Sequence, residues 1–405
     1  MTTNNSADKA GENPVGSICR YDFTAPTNYL ECDGSCVSET TYAKLFDVVG
    51  NEYEAAIGAV DLTAIDDATS GGTYGRASSW HPDSNYIAHA SNSTNKELSI
   101  YSFDGTTLTS VYDVDLDGAT QCSSWNINGT YLAIGSYVTS NQLKMFSWNG
   151  VSETLSLEDT LSIDGGVNVV EWNHDGTYLA VGNLVDATSK QVTIYSFDGS
   201  SFTEEETVDT GCSIYTLAWT SDSGYLAVGK YTDAAYEIEV YSWTVGTKTL
   251  ASVATATQTS PVYGIAWSAS EDYLFTCAAN VKAYSFDGSS LTEKDSIATG
   301  AFRGMCVVGA NLIVGVYDSG GGSTKKIIVY NWNEGTETLS EIDSITENSN
   351  GNFNPVVSPN KLYLTSGPYL LSGVTLTTYS TDLSAGCSYP NFQLPTVTDN
   401  IIRSK

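Results

Sequence analysis

The feature that most constrains this chain is a sequence motif that recurs about every 46 residues. Its first copy reads ASSWHPDSNYIAHASNSTNKELSIYSFDG. Five clear copies and two weaker ones occupy residues 77–105, 122–150, 169–199, 216–243, 264–288, 304–333 and 354–380. A period of this length is typical of proteins that stack similar structural units.

Each copy is predicted to form four antiparallel strands, a to d, because apolar and polar residues alternate and Asp-Gly pairs mark hairpin turns. One such sheet cannot cover both of its apolar faces, whereas a closed ring of sheets leaves none exposed. Seven copies therefore predict an all-β chain with a seven-bladed β-propeller over residues 55–384. Strand a should end at a buried anchor residue, which in successive copies is Trp80, Trp125, Trp172, Trp219, Trp267, Val307 and Val357.

The last copy ends without a clear strand d. The segment AAIGAVDL at 55–62 precedes the first copy and has the pattern of a strand without a blade. We therefore expect the start of the repeat region to complete the last blade. In that arrangement the chain enters and leaves the propeller at one place.

The charge balance excludes several classes of partner. The chain of 405 residues has 17 Lys and Arg against 47 Asp and Glu, a net charge of −30. Nucleic acid and anionic membrane surfaces both require clustered basic residues, so neither is expected as a partner. No stretch is long and apolar enough to cross a bilayer, and no secretory signal is visible at the start.

No pattern of catalytic or metal-binding residues emerges. The three histidines, His81, His89 and His174, lie in the repeats without partners at zinc-site spacing, and the eight cysteines contain no CxxC pair. The cysteines are expected to be small buried residues. We therefore expect no catalytic residue, no metal and no cofactor, and a protein that is not an enzyme.

The loops between strands b and c vary in length and composition, unlike the short turns at the other end of each blade. Ligands bind preferentially to variable loops on a rigid scaffold. Tyrosines in these loops offer flat rings with a hydroxyl group, and we predict ligand binding at Tyr137, Tyr231, Tyr236, Tyr317 and Tyr369.

The N-terminal flank contains an ordered set of short motifs: Val-Gly-Ser-Ile at 15–18, Ala-Pro at 25–26, Leu-Glu-Cys-Asp-Gly at 30–34 and Tyr-Ala-Lys-Leu-Phe at 42–46. Apolar residues at 42, 45, 46 and 49 have helical spacing. These residues resemble the phage tail collar family over 15–53. A Phe-Gln-Leu-Pro segment at 392–395 is similar to the strand that follows in that family, and the resemblance continues to residue 405.

The resemblance implies a small α+β collar-like module, formed by 15–54 with 385–405 after a polar arm at 1–14, into which the propeller is inserted. It departs from the family at Asn28 and Tyr29, where Gly-Trp is usual, and lacks the family's Arg-Gly-Arg run. The resemblance implies that the residues which dock on the particle are Cys32, Asp33, Gly34, Phe392, Leu394 and Pro395.

The expected function is therefore that of a non-enzymatic structural or attachment protein in the virion of a tailed-phage-like particle. Its expected partners are other virion or tail proteins, a host surface glycan or protein, and further copies of the chain. Two alternatives remain open at this stage. One is an intracellular WD-repeat-like interaction scaffold, and the other is a propeller enzyme of the lactonase or glycan-cleaving type.

Overall fold

A computed structural model describes most of the repeat region and short parts of both flanks. The described residues are 18–20, 29–31, 36–38, 63–70, 75–92, 95–116, 118–163, 165–184, 190–231, 235–298, 300–318, 324–347, 351–352, 354–359, 361, 363–366, 374–380, 391–393 and 400–403. The chain divides into two compact units, one of Met1–Ala59 with Leu383–Lys405 and one of Val60–Asp382.

Every regular element in the described ranges is a β-strand, numbered here along the chain. The first four are β1 (Ile18–Arg20), β2 (Tyr29–Glu31), β3 (Cys36–Ser38) and β4 (Thr63–Ser70). The next twelve are β5 (Gly75–Trp80), β6 (Tyr86–Ser91), β7 (Leu98–Phe103), β8 (Leu108–Val114), β9 (Thr120–Trp125), β10 (Tyr131–Ser136), β11 (Leu143–Asn149), β12 (Thr154–Leu161), β13 (Val167–Trp172), β14 (Tyr178–Asn183), β15 (Val192–Phe197) and β16 (Phe202–Val208).

The remaining strands are β17 (Ile214–Trp219), β18 (Tyr225–Lys230), β19 (Ile238–Thr244), β20 (Thr249–Ala256), β21 (Gly264–Trp267), β22 (Tyr273–Cys277), β23 (Asn280–Phe286), β24 (Leu291–Ala298), β25 (Ala301–Val308), β26 (Asn311–Asp318), β27 (Thr324–Asn333), β28 (Thr338–Glu347), β29 (Gly351–Asn352), β30 (Val356–Val357), β31 (Tyr363–Ser366), β32 (Val374–Ser380), β33 (Asn391–Gln393) and β34 (Asn400–Arg403). Among the described residues, no helix is long and apolar enough to span a membrane.

The unit of Val60–Asp382 is a β-propeller. Six blades are antiparallel sheets of four consecutive strands, beginning with β5-β6-β7-β8 and ending with β25-β26-β27-β28, to which β29 adds beside β26. Strand a of each blade contacts strand a of the next, for example β9 with β13 and β21 with β25. These first strands are therefore the innermost strands of the propeller.

The prediction of seven blades is wrong in number, because only six blades of the described residues are built from consecutive strands. The seventh repeat forms only three strands of its own, and its anchor is Val357 in place of Trp. These strands join β4 in a composite sheet of order β30-β31-β32-β4, in which Ser380 pairs with Thr63 and Val374 pairs with Ser70.

The position of the early strand was also wrong. The strand that joins β32 is Thr63–Ser70, and the predicted segment 55–62 lies outside the described residues. Outermost strands carry mainly exposed and half-buried residues, as in Phe202–Val208. The polar sequence TAIDDATS suits that position better than the apolar AAIGAVDL.

Packing between sheets explains the anchor residues. All five anchor tryptophans end a strand a and are buried, with at most 8% of their surface exposed. Each packs in a core shared by neighbouring blades: Trp172, for instance, lies with Cys122 and Ala133 of the preceding blade. Burying a side chain of this size stabilises the fold by roughly 1.5–3 kcal/mol. The predicted core role is confirmed for the five tryptophans, whereas Val307 and Val357 are only half-buried and strand β25 ends one residue later, at Val308.

The other unit contains two small sheets. In the first, β34 lies between β1 and β2, with Ile402 opposite both Ile18 and Leu30. In the second, β3 pairs with β33 through Val37 and Phe392. Strands from both ends of the chain thus form one unit. The predicted helix over 41–49 and the arm at 1–14 lie outside the described residues.

Candidate ligand-binding site

The loops at one end of the blades are joined by backbone hydrogen bonds. The loop between strands b and c starts beside the loop that enters strand a of the same blade. The N–H of Tyr137 donates to Ala119 O at 3.2 Å, and the N–H of Tyr231 donates to Ser213 O at 2.8 Å. The variable loops therefore adjoin the ends of the innermost strands, as their topology predicts.

A β-bulge recurs at the same position of the innermost strands. In five of the six blades, the residue four positions before the anchor is left out of the pairing register between strands a and b. Residue 121 is skipped between Cys122 and Thr120, and residue 215 is skipped between Ile214 and Thr216. The others are residues 168 and 303, and residue 76 of the first blade has the same backbone register. A bulge redirects the side chain of its extra residue.

We call this set the inner arc: Gln121, Asn168, Tyr215, Tyr263 and Arg303. Tyr263 has the equivalent sequence position, four residues before Trp267, and its N–H donates to Cys277 O at 3.0 Å. The inner arc runs over five consecutive blades, so one repeat position supplies a continuous set of amide, aromatic and guanidinium side chains.

The aromatic and cationic members of the inner arc touch one another across blade boundaries. The rings of Tyr215 and Tyr263 meet edge to face with centroids 5.1 Å apart. The guanidinium carbon of Arg303 lies 3.7 Å from the centre of the Tyr263 ring and 4.9 Å from that of Tyr317. Cation–π contacts at these distances are favourable, and they hold the guanidinium between two rings.

Loop tyrosines extend the inner arc toward solvent. The Tyr231 ring lies 5.8 Å from that of Tyr215 and is 48% exposed. On the other side, the Tyr137 hydroxyl donates to Asn168 Oδ1, and Asn168 Nδ2 donates to Ile214 O at 2.7 Å. Asn168 thus links three blades while the Tyr137 ring remains 37% exposed.

The protonation states of this region suit hydrogen-bond donation. Burial and the neighbouring tyrosines raise the pKa of Tyr215 above its usual range, so its hydroxyl keeps its proton at neutral pH. Deeper on the inner strands, the half-buried Glu171 accepts a hydrogen bond from the Trp219 backbone, and burial raises its pKa to about 8. Glu171 is therefore largely neutral at pH 7.

The five tyrosines predicted to bind ligand fall in different surroundings. Tyr137, Tyr231 and Tyr317 contact the inner arc as described. Tyr236 lies elsewhere, with the buried Lys230 ammonium 3.8 Å from its ring centre, and Lys230 also pairs with Glu239 at 3.3 Å. Tyr369 lies outside the described residues.

Of the residues predicted to dock on a particle, only Phe392 has a described backbone, in strand β33 beside Val37. The others lie outside the described residues: Cys32, Asp33, Gly34, Leu394 and Pro395.

Sequence reasoning missed the inner arc itself. The prediction searched only the variable loops, whereas the members of the inner arc lie on or directly beside strands: Asn168, Tyr215, Tyr263 and Arg303. A signal was nevertheless present. The chain has four arginines, and the two in the propeller, Arg76 and Arg303, both stand four residues before an anchor, directly before a copy of the motif.

Other reactive groups of the propeller are placed as structural residues. Cys122 and Cys277 are buried, and among the described cysteines Cys122, Cys212, Cys277 and Cys306 none is paired. His89 is buried, its Nδ1 lies 3.0 Å from Ser78 Oγ, and burial lowers its pKa to about 4. Within the described ranges, no three His, Cys, Asp or Glu side chains are grouped so as to hold a metal ion.

These observations define a class: a β-propeller with a set of aromatic and cationic side chains at one end of its innermost strands. Comparison with known proteins adds a finding about the other unit. Residues 16–58 match the family model of the Phage Tail Collar Domain. The match supports a role in a phage tail and association with other tail proteins. No curated protein matches the chain.

Proposed function

We propose that this protein is a non-enzymatic attachment protein of a tailed-phage-like virion, in which the collar-like unit docks on the tail and the propeller recognises a host surface. The match of residues 16–58 to the Phage Tail Collar Domain carries the proposal. The inner arc supports the recognition role, because its aromatic, amide and guanidinium groups bind ligands well but are poor general acids or bases.

The proposal includes ring closure, with the composite sheet bridging the sixth blade and the first. Support comes from contacts that recur between blades. The first tyrosine of strand b meets the last aromatic residue of strand c in the next blade, as Tyr131 meets Phe197 and Tyr225 meets Phe286, both with ring centroids 5.1 Å apart. Tyr363 of the composite sheet makes the same contact with Phe103, at 4.9 Å.

Two of the anchor tryptophans donate an equivalent hydrogen bond, whereas Nε1 of Trp125, Trp172 and Trp219 has no partner among the described residues. Trp267 Nε1 donates to the backbone oxygen of Ala218, the residue before the preceding anchor, at 3.0 Å. Trp80 Nε1 donates at 3.2 Å to the oxygen of Val356, which stands before the anchor Val357. On its other side, the Val357 backbone donates to Cys306 of the sixth blade. The composite sheet therefore has blade-like contacts with both neighbours.

Closure bears on function because it explains how a propeller can interrupt another fold. The pairing of Thr63 with Ser380 brings together the points where the chain enters and leaves the propeller. Insertion of one domain into another is tolerated where such ends are close. The collar-like unit can then keep both of its chain segments in one sheet, as β1, β34 and β2 are.

The test is the location and activity of the full-length protein. Purified virions should contain it by mass spectrometry, and antibody-labelled particles should show it at the tail by electron microscopy. The purified chain should also compete with virions for adsorption to host cells. Absence from purified virions would overturn the docking role. Presence without any competition would overturn the recognition role alone.

A further inference from the structure

The few arginines of the propeller all stand at one position of the repeat. The chain carries a net charge of −30, which disfavours anionic ligands at long range. Of the four arginines of the chain, Arg76 and Arg303 belong to the propeller, and each stands four residues before an anchor, Trp80 and Val307. Arg303 lies on the innermost strand β25.

The surroundings of Arg303 leave one hydrogen-bond donor unused. Its guanidinium lies 3.7 Å from the centre of the Tyr263 ring and 4.9 Å from that of Tyr317. Its Nε is buried without a hydrogen-bond partner among the described residues, and no ion pair joins Arg303 to them. Leaving a buried charged donor unpaired is costly. The two rings therefore flank a guanidinium that gains from an added acceptor.

A second unpaired donor lies on the inner arc. Gln121 is 8% exposed, and its Nε2 is buried without a partner among the described residues. The unused group of Arg303 is a charged donor, so an oxygen-rich ligand satisfies it better than a cationic one. A planar carboxylate matches the guanidinium in particular, because it accepts two parallel hydrogen bonds from the fork.

The exposed end of the tyrosine cluster favours a ligand with a flat apolar face as well. Tyr231 reaches the same cluster through Tyr215 and exposes 48% of its surface. A tyrosine presents an apolar ring face together with a polar hydroxyl. Sugar rings offer C–H faces with hydroxyl groups at their edges, which suits contact with such rings. Phosphate-rich polymers are disfavoured, because the chain lacks the basic surface that they require.

We propose that the inner arc binds an acidic carbohydrate, a uronic-acid-containing glycan, with its carboxylate on Arg303 and a sugar face on Tyr231. This inference rests on the proposed recognition role of the propeller and names its ligand class. Arg303 provides selectivity for the acid, whereas Tyr231 provides contact area that does not depend on the ligand's charge.

The experiment uses the full-length protein and trigalacturonic acid, with its methyl ester as a neutral control of nearly the same shape. Calorimetric titration at about 0.15 M salt should show saturable binding of the acid and binding of the ester that is about ten-fold weaker, the value of one charge-assisted hydrogen bond. Arg303→Gln should reduce acid binding to the level of the ester.

Two further variants separate binding from folding. Lys294→Gln also removes one positive charge, but from outer strand β24, where Lys294 pairs with Glu337 at 2.9 Å. It should leave the affinity for the acid unchanged. Tyr231→Ala alters an exposed side chain and should weaken acid and ester alike. It therefore tests the site even if Arg303→Gln fails to fold.

Several results would overturn the proposal. These are equal affinity for acid and ester, equal loss in Lys294→Gln and Arg303→Gln, or no saturable binding of the acid. Binding of hexaglutamate or inorganic sulfate as tightly as the sugar would assign the site to a general oxyanion instead. If the acid fails to bind while the protein still competes with virions for host cells, the ligand class is wrong and the recognition role stands.

Discussion

Blade-to-blade docking through the turn after strand a can be tested at Gly129. The turn glycine has φ +67°, in the left-handed region, and an added Cβ would lie 2.1 Å from Nε2 of His81 in the neighbouring blade. That Nε2 is also 3.0 Å from Gly129 O. His81 is 9% exposed and packs edge-on against Trp125 at 4.9 Å, so it has little room to move.

Gly211 provides a matched control. It has the same φ of +67°, but an added Cβ would have no atom within 4 Å. Gly211→Ala should therefore cost only the left-handed conformation of a non-glycine residue, about 1–2 kcal/mol. Gly129→Ala should cost that amount plus the displacement of His81, which for a packed site adds about 1–3 kcal/mol. We expect a total of about 2–5 kcal/mol from these two contributions.

The assay is denaturant unfolding followed by tryptophan fluorescence, which reports on the propeller because all eight tryptophans lie within the repeats. In a His81→Ala background, Gly129→Ala should lower the free energy of unfolding only as much as Gly211→Ala does, because the His81 ring that the added Cβ would meet is then absent. Equal destabilisation by Gly129→Ala and Gly211→Ala in the unmodified chain would refute the docking argument.

Three further predictions concern the inner strands and ring closure. Folding raises the pKa of Glu171 from its ordinary 4.5 to about 8. As pH rises, the unfolded chain therefore loses this proton before the folded chain does. Stability should therefore fall between pH 4.5 and 8, by at most about 1.4 kcal/mol per pH unit, and Glu171→Gln should raise the melting temperature at pH 8 but not at pH 4.5. Tyr363→Leu should destabilise the propeller about as much as Tyr131→Leu, and a near-neutral Tyr363→Leu would contradict closure by the composite sheet. Burial raises the pKa of the Cys122 and Cys306 thiols to about 12, so both should resist alkylation at pH 8 until the protein unfolds, as peptide mass mapping can show.

Sequence reasoning predicted the features that repeat in chemical type. The anchor tryptophans recur as one residue type with one burial requirement, so strand ends such as Trp80 and Trp219 could be placed from the pattern alone. The early strand was predicted at 55–62 because that segment is apolar. An outermost strand carries polar residues, and the strand lies in the polar segment that follows, Thr63–Ser70. The β-bulges left no trace in the alternation. The inner arc repeats in position only, since Gln121, Asn168 and Tyr215 share no chemical type.

Placement of the inner arc on strands has a consequence for how a ligand is recognised. Arg303 lies within strand β25, and residues of strands are held more firmly than residues of loops, which suits a site that must present a fixed guanidinium. The contacts of Arg303 with Tyr263 and Tyr317 restrict it further. Less conformational entropy is then lost on binding, which is the advantage of a preorganised site.

The net charge of −30 gives the salt dependence of such binding an unusual sign. At about 0.01 M salt, charges act over about 30 Å, so the acidic surface repels an acidic glycan before it reaches Arg303. At about 0.15 M, the range shrinks to about 8 Å, and the repulsion weakens while the contact at Arg303 survives. Association of trigalacturonic acid should therefore become faster as salt rises over this interval, measured by stopped-flow tyrosine and tryptophan fluorescence. The methyl ester, which has no charge to repel, should show no such change. A rate for the acid that falls with salt would mean that a positive field around the inner arc outweighs the rest of the surface, and recognition would then be steered at long range.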